Sequence, residues 1–137
     1  MPGSFLSDAN DIVLHNATVS SNSNSTATST AGLALGNIYR LQVVVGTPIT
    51  DADETLRIIL QGSDASNFST GNQVPYGTLN LVDNDEGLTY YIEFRPQHQY
   101  IRCNFVVGGT TPSFPITVTI RERNFKVTKD DASGQLF

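Results

Sequence analysis

The chain has 137 residues, 39% of them hydrophobic and only 15% charged, with a formal net charge of −5, one cysteine and no tryptophan. That length fits one domain whose core needs no disulfide or metal to hold it, and a single cysteine excludes an intramolecular disulfide. The acidic balance argues against nucleic acid or an anionic membrane surface as partner, and no apolar run approaches the roughly 20 residues that cross a bilayer.

Residues 1–36 read as an N-terminal segment and arm. Met1 to Ala9 is polar apart from Phe5 and Leu6, and it lacks the basic stretch and apolar core of a signal peptide. Ile12 to His15 is a candidate first strand. Thr18 to Thr30 is built almost wholly of Ser, Thr and Asn and has little to bury. Two readings suit it: a mobile loop, or an extended arm, disordered in the free protein, that orders against a partner and adds its backbone to a sheet edge. On the second reading Ser20, Asn22, Asn24 and Thr26 are contact residues.

Residues 37–127 carry the strand pattern. Asn37 to Val45 alternates with period two, placing Tyr39, Leu41, Val43 and Val45 on one face. Gly46-Thr47-Pro48 breaks it. Thr55 to Gln61 turns Leu56, Ile58 and Leu60 inward, and Gly62-Ser63-Asp64 ends it. After a polar excursion from Ser66 to Tyr76, Gly77 to Val82 offers Leu79 and Leu81 to a core. Asp83 to Gly87 is a turn, since Asn, Asp and Gly tolerate left-handed backbone angles. Leu88 to Arg95 puts Leu88, Tyr90, Ile92 and Phe94 on one face. Tyr100 to Val107 puts Ile101, Cys103, Phe105 and Val107 inward, and Phe114 to Arg121 does the same with Phe114, Ile116, Val118 and Ile120. Phe125 and Val127 extend or cap this edge, and residues 128–137 form a polar tail. The expected fold is all-β: a jelly-roll-like β-sandwich of about eight antiparallel strands, preceded by the arm.

Nothing in the sequence assembles catalytic machinery. Cys103 alternates with Ile101 and Phe105, which places it in the core rather than in the electropositive setting a nucleophilic thiol needs. His15 and His98 have no metal-ligand spacing, and no Gly-x-Ser-x-Gly elbow or phosphate-binding glycine loop occurs. Asp51, Asp53 and Glu54 form one acidic cluster and Asp83, Asp85 and Glu86 another; both read as solvated turn carboxylates, neither matching an EF-hand. The expectation is a protein that is not an enzyme and needs no cofactor. Four apolar residues, Val44, Ile59, Tyr91 and Val106, fall on strand faces otherwise polar. Gathered in one patch, they would mark a contact surface.

Three stretches carry a resemblance. Ser4-Phe-Leu-Ser-Asp-Ala-Asn-Asp-Ile12 is the first. The second runs from Leu33-Ala-Leu-Gly36 through Tyr39-Arg-Leu-Gln-Val-Val-Val45 to Thr55-Leu-Arg-Ile-Ile-Leu-Gln-Gly-Ser-Asp64. The third is Gln99-Tyr-Ile-Arg-Cys-Asn-Phe-Val-Val-Gly-Gly109. Together they resemble the small capsid cement proteins of tailed phages, the family typified by a Bordetella podophage member. The arm and the tail after Arg121 are longer than the family pattern. The resemblance implies a jelly roll on the outer capsid surface of a virion, made in the host cytoplasm. It would bridge copies of a major capsid protein as a homo-oligomer, a dimer before a trimer. Phe5, Leu6, the arm and the outward apolar residues would then be interface. The competing expectation is a carbohydrate- or receptor-binding β-sandwich; the missing tryptophan argues against it, while Tyr76, Tyr90, Tyr91 and Tyr100 keep it open.

Overall fold

The computed structural model describes residues 11–34, 36–47, 53–69 and 73–122. Phe5, Leu6, Asp51, Phe125, Val127 and the 128–137 tail lie outside them.

The described residues form two antiparallel sheets and no α-helix. The strands are β1 (Ile12–Val19), β2 (Ser23–Asn24), β3 (Thr28–Ser29), β4 (Tyr39–Val45), β5 (Thr55–Ser63), β6 (Val74–Val82), β7 (Thr89–Phe94), β8 (Tyr100–Gly108) and β9 (Phe114–Glu122). One sheet has the order β1-β9-β4-β7; the other has β2-β8-β5-β6, with β3 also on β8. When β2 and β3 are taken as one interrupted strand, the chain makes eight strands that cross between sheets in the jelly-roll manner.

Period-two alternation fixes which side chains meet between the sheets. Leu41, Val43 and Val45 of β4 and Ile116, Val118 and Ile120 of β9 point inward, against Leu56, Ile58 and Leu60 of β5 and Ile101, Cys103 and Phe105 of β8; all are buried. Burying such side chains contributes about 1.5–3 kcal/mol each before chain entropy is counted, which is why register is firm here: a one-residue slip would turn every one of them to water.

Three local expectations change. Thr18 to Thr30 is expected as a mobile loop or an arm disordered until a partner orders it; instead Thr18 and Val19 end β1 on β9, and Asn22 to Thr30 is laid against β8 and the residues before it. Ser23 and Asn24 pair with Phe105 and Asn104, and Thr28 and Ser29 with Ile101 and Tyr100. The physical reason lies in β8, whose edge amides and carbonyls sit beside a core and must find partners. The first strand does not end at His15 but runs to Val19, paired along β9 across a bulge between Val13 and His15. Leu88, expected inward, is 48% exposed, because its amide donates to the Asp85 carbonyl and holds it in the turn before β7. That turn uses Gly87 at φ 78°, as its composition anticipates.

Within the polar excursion, Phe68 is buried outside the main core, at φ 49°. Arg102 lies over its ring at 4.3 Å, and Gln73 Nε2 donates to its carbonyl at 2.8 Å. A bulky residue with positive φ is uncommon, and at Phe68 the contacts with Arg102 of β8 and with Gln73 offset the backbone cost.

Candidate functional site

Several titratable groups of the described residues are engaged in contacts within the fold. Burial pushes the Cys103 thiol up to about 12, which leaves it protonated and unreactive at neutral pH. His15 packs against Phe105 with 4.7 Å between ring centroids, and its Nε2 meets the Ala17 carbonyl. His98 Nδ1 and the Tyr76 hydroxyl are 2.6 Å apart, and the same hydroxyl accepts the Gln97 amide at 3.0 Å. Burial raises the Tyr76 phenol, opposed by its bonds around Gln97 and His98.

The two acidic clusters have structural duties. Asp53 Oδ2 accepts both the amide and the hydroxyl of Thr110, and Glu54 Oε1, fully buried, accepts the Ser113 amide at 2.6 Å. Together they pin the β8–β9 connection. Asp85 accepts the Val82 amide at 2.7 Å and the Tyr90 hydroxyl, and that second bond is the main reason the Tyr90 phenol is raised. Among the described residues no three His, Cys, Asp or Glu side chains come together as a metal site.

The outer faces of the two sheets carry the outward apolar residues. On the first sheet, directly opposed residues form cross-strand rows. Gln42 sits between Tyr91 and Thr119, with Val13 beyond Thr119; Val44 sits between Thr89 and Thr117, with Asn16 beyond. Arg40 lies between Glu93 and Arg121. Its Nε donates to Glu93 Oε2 at 3.3 Å, and its guanidinium stands 5.7 Å from the Tyr91 ring centre. Arg121 donates to Gln42 at 3.0 Å and pairs with Asp11 at 3.5 Å. The face thus holds apolar Val13, Val44 and Tyr91 among polar groups already braced against one another.

On the second sheet, Ile59 lies between Thr78 and Asn104, and Val106 is opposite Arg57. A shallow open depression of about 310 Å³ flanks Val106, between Arg57, Asn80 and Val82; another of about 300 Å³ flanks Val44 on the opposite face, between Asn16, Gly46 and Pro115.

The four outward apolar residues singled out in the sequence therefore do not form one patch. Val44 and Tyr91 share one outer face, and Ile59 and Val106 share the other. Of the arm residues, Asn22 and Asn24 are used within the chain: Asn22 Oδ1 accepts the Val107 amide at 2.9 Å, and Asn24 Oδ1 accepts Asn104 Nδ2 at 2.8 Å. Ser20 and Thr26 are exposed. Val13, 60% exposed, joins the Val44–Tyr91 face; three consecutive apolar residues, Ile12, Val13 and Leu14, do not declare by themselves which one turns outward.

No known family profile matches the chain, and no curated protein matches it in sequence. Solved structures do match its shape. One is the C-terminal family 22 carbohydrate-binding module of Clostridium thermocellum Xyn10B, in which cleft residues take part in ligand binding. It has a TM-score of 0.50 and 17% identity over 76% of this chain, and the chain spans 66% of it. Another is the N-terminal xylanase 10B of the same organism, a CBM22-1–GH10 pair complexed with xylohexaose. It has a TM-score of 0.47 and 15% identity, with 83% of this chain and 26% of that one covered. The class defined is an antiparallel β-sandwich with jelly-roll strand order.

Proposed function

We propose that this chain is a non-catalytic structural protein that bridges neighbouring subunits of a protein shell, as a capsid cement protein does. The observation that carries this reading is the division of the outward apolar residues, Val44 and Tyr91 on one outer face and Ile59 and Val106 on the other. A bridge needs two contact surfaces on a stiff body, and two sheets packed on a dry core supply one. Weak contacts repeated over a lattice then add by multivalency. The resemblance of residues 4–121 to tailed-phage cement proteins supports the same reading and names the major capsid protein as partner, with the acidic chain outside the shell rather than against nucleic acid. Purified protein added to capsids that lack it should bind and raise the temperature at which they open; absence of binding would end this reading.

The second reading is a carbohydrate-binding module, and the likeness to solved structures supports it and not the shell. Tyr91 favours it: an aromatic ring 48% exposed on a flat face, flanked by the Arg40–Glu93 pair and Gln42, offers a stacking platform with hydrogen-bonding groups beside it. A glycan array decides it: hits lost in Tyr91→Ala support the saccharide, and a blank array removes it.

A further inference from the structure

The jelly roll requires a strand on the outer edge of β8, and this chain fills that place with Asn22-Ser-Asn-Ser-Thr-Ala-Thr-Ser-Thr30. The filling is broken. Ladder pairing covers only Ser23–Asn24 and Thr28–Ser29. The remaining edge groups of β8 are met one at a time. The Val107 amide goes to the Asn22 side chain, the Cys103 amide to Ser25 Oγ at 2.8 Å, the Cys103 carbonyl to the Ser25 amide at 2.9 Å, and the Gln99 carbonyl to the Thr30 amide at 2.9 Å. Only Ser25 and Thr30 of this stretch are buried, and neither is an apolar residue. The strap is held by hydrogen bonds with little apolar burial behind them, while its ends are fixed by buried Val19 on one side and Thr30 and Leu33 on the other.

We propose that this strap is a displaceable cover, and that the β8 edge beneath it accepts an extended segment of another protein chain by antiparallel strand addition. A segment with few buried apolar contacts opens locally at far lower cost than the sheet beneath it. An incoming regular strand has two advantages over the strap. It makes an unbroken ladder where the strap makes two short pieces. It can also put a small apolar side chain where buried Ser25 now sits, gaining apolar burial the strap does not have. The partner segment is therefore extended, with a small apolar residue at the place of Ser25. That partner is a protein, in keeping with the shell reading; the opening of the strap does not depend on it.

The experiment uses the full chain and a clasp. Asn24 and Asn104 are directly opposed and touch through their side chains, so Asn24→Cys with Asn104→Cys closes the strap reversibly, at a cross-strand separation a disulfide can span. Residue-resolved hydrogen exchange reads the opening. Amides of Cys103 and Val107 face the strap, whereas the alternation of the β5–β8 ladder turns Arg102, Asn104 and Val106 toward β5. The first set should exchange at least about tenfold faster than the second, and oxidation of the clasp should abolish the difference. A synthetic peptide of residues 20–31 carrying Ser25→Val, which supplies the apolar side chain the strap lacks, should shift the Cys103 and Val107 amide resonances of the reduced variant and leave the oxidised one unchanged. Uniform exchange along β8 in the unclasped protein overturns the displaceable cover. Absence of peptide binding to the reduced form overturns strand acceptance. Failure to bind capsids would instead count against the shell reading alone.

Discussion

Ser25 and Cys103 exchange two hydrogen bonds: the Ser25 amide donates to the Cys103 carbonyl at 2.9 Å, and the Cys103 amide donates to Ser25 Oγ at 2.8 Å. A serine side chain thus completes a strand pairing that the backbone leaves unfinished. Ser25→Ala strands the Cys103 amide at a site closed to water, a loss of about 1–3 kcal/mol. Urea unfolding should show the free energy of unfolding fall by that amount through a lower midpoint with an unchanged slope, and Ser25→Thr, which keeps the acceptor, should lose less.

Cys103 also sets an alkaline limit. Its thiol ordinarily titrates near 9.0 and burial raises it to about 12 in the fold. The raised group favours the protonated folded state, so its contribution is complete below pH 9 and is lost as pH rises toward 12. Stability should fall by about 1.4 kcal/mol per pH unit over that window from this group, and Cys103→Ala should remove that dependence. At neutral pH a thiol reagent should label the chain only at the rate of global unfolding.

Gly62 of β5 has no room for a side chain, because a Cβ there would lie 2.7 Å from Cε2 of Tyr76. Tyr76 cannot retreat: it stacks on Phe94 at 5.8 Å and holds His98 and the Gln97 amide through its hydroxyl. Gly62→Ala should cost about 1–3 kcal/mol by overpacking. Thermal melts of Gly62→Ala, Tyr76→Leu and the double variant should show the double less impaired than the sum of the singles.

The sheet core was readable because alternation alone decides it. Leu41, Val43 and Val45, and Ile116, Val118 and Ile120, declare their faces in the sequence. The strap was not readable for the opposite reason. A stretch of Ser, Thr and Asn has no period, and its order comes from unpaired groups on β8, more than 70 residues away along the chain. Phe68 was lost in the same way, since its burial depends on Arg102 reaching over it from another strand. Period two turns Val44, Ile59, Tyr91 and Val106 outward one by one, Ile59 half-buried, but assigning Val44 and Tyr91 to one face and Ile59 and Val106 to the other requires the pairing of strands that are not neighbours in sequence.

That division separates the two functional readings. Val44→Thr with Tyr91→Thr clears one face, and Ile59→Thr with Val106→Thr clears the other. Threonine keeps the β-branched shape a strand favours, so each pair should change stability by no more than about 1 kcal/mol. If the chain bridges shell subunits, either pair should reduce the stabilisation of capsids, because a bridge with one foot holds nothing together. Each single-face variant should still bind weakly through its intact face, and the combination of all four should not bind. If the chain is a saccharide module, only the Val44–Tyr91 face should matter, and the Ile59–Val106 variant should bind glycans as the parent does. Measured on capsids and on a glycan array with the same four proteins, a two-face requirement sinks the saccharide reading and a one-face requirement sinks the bridge.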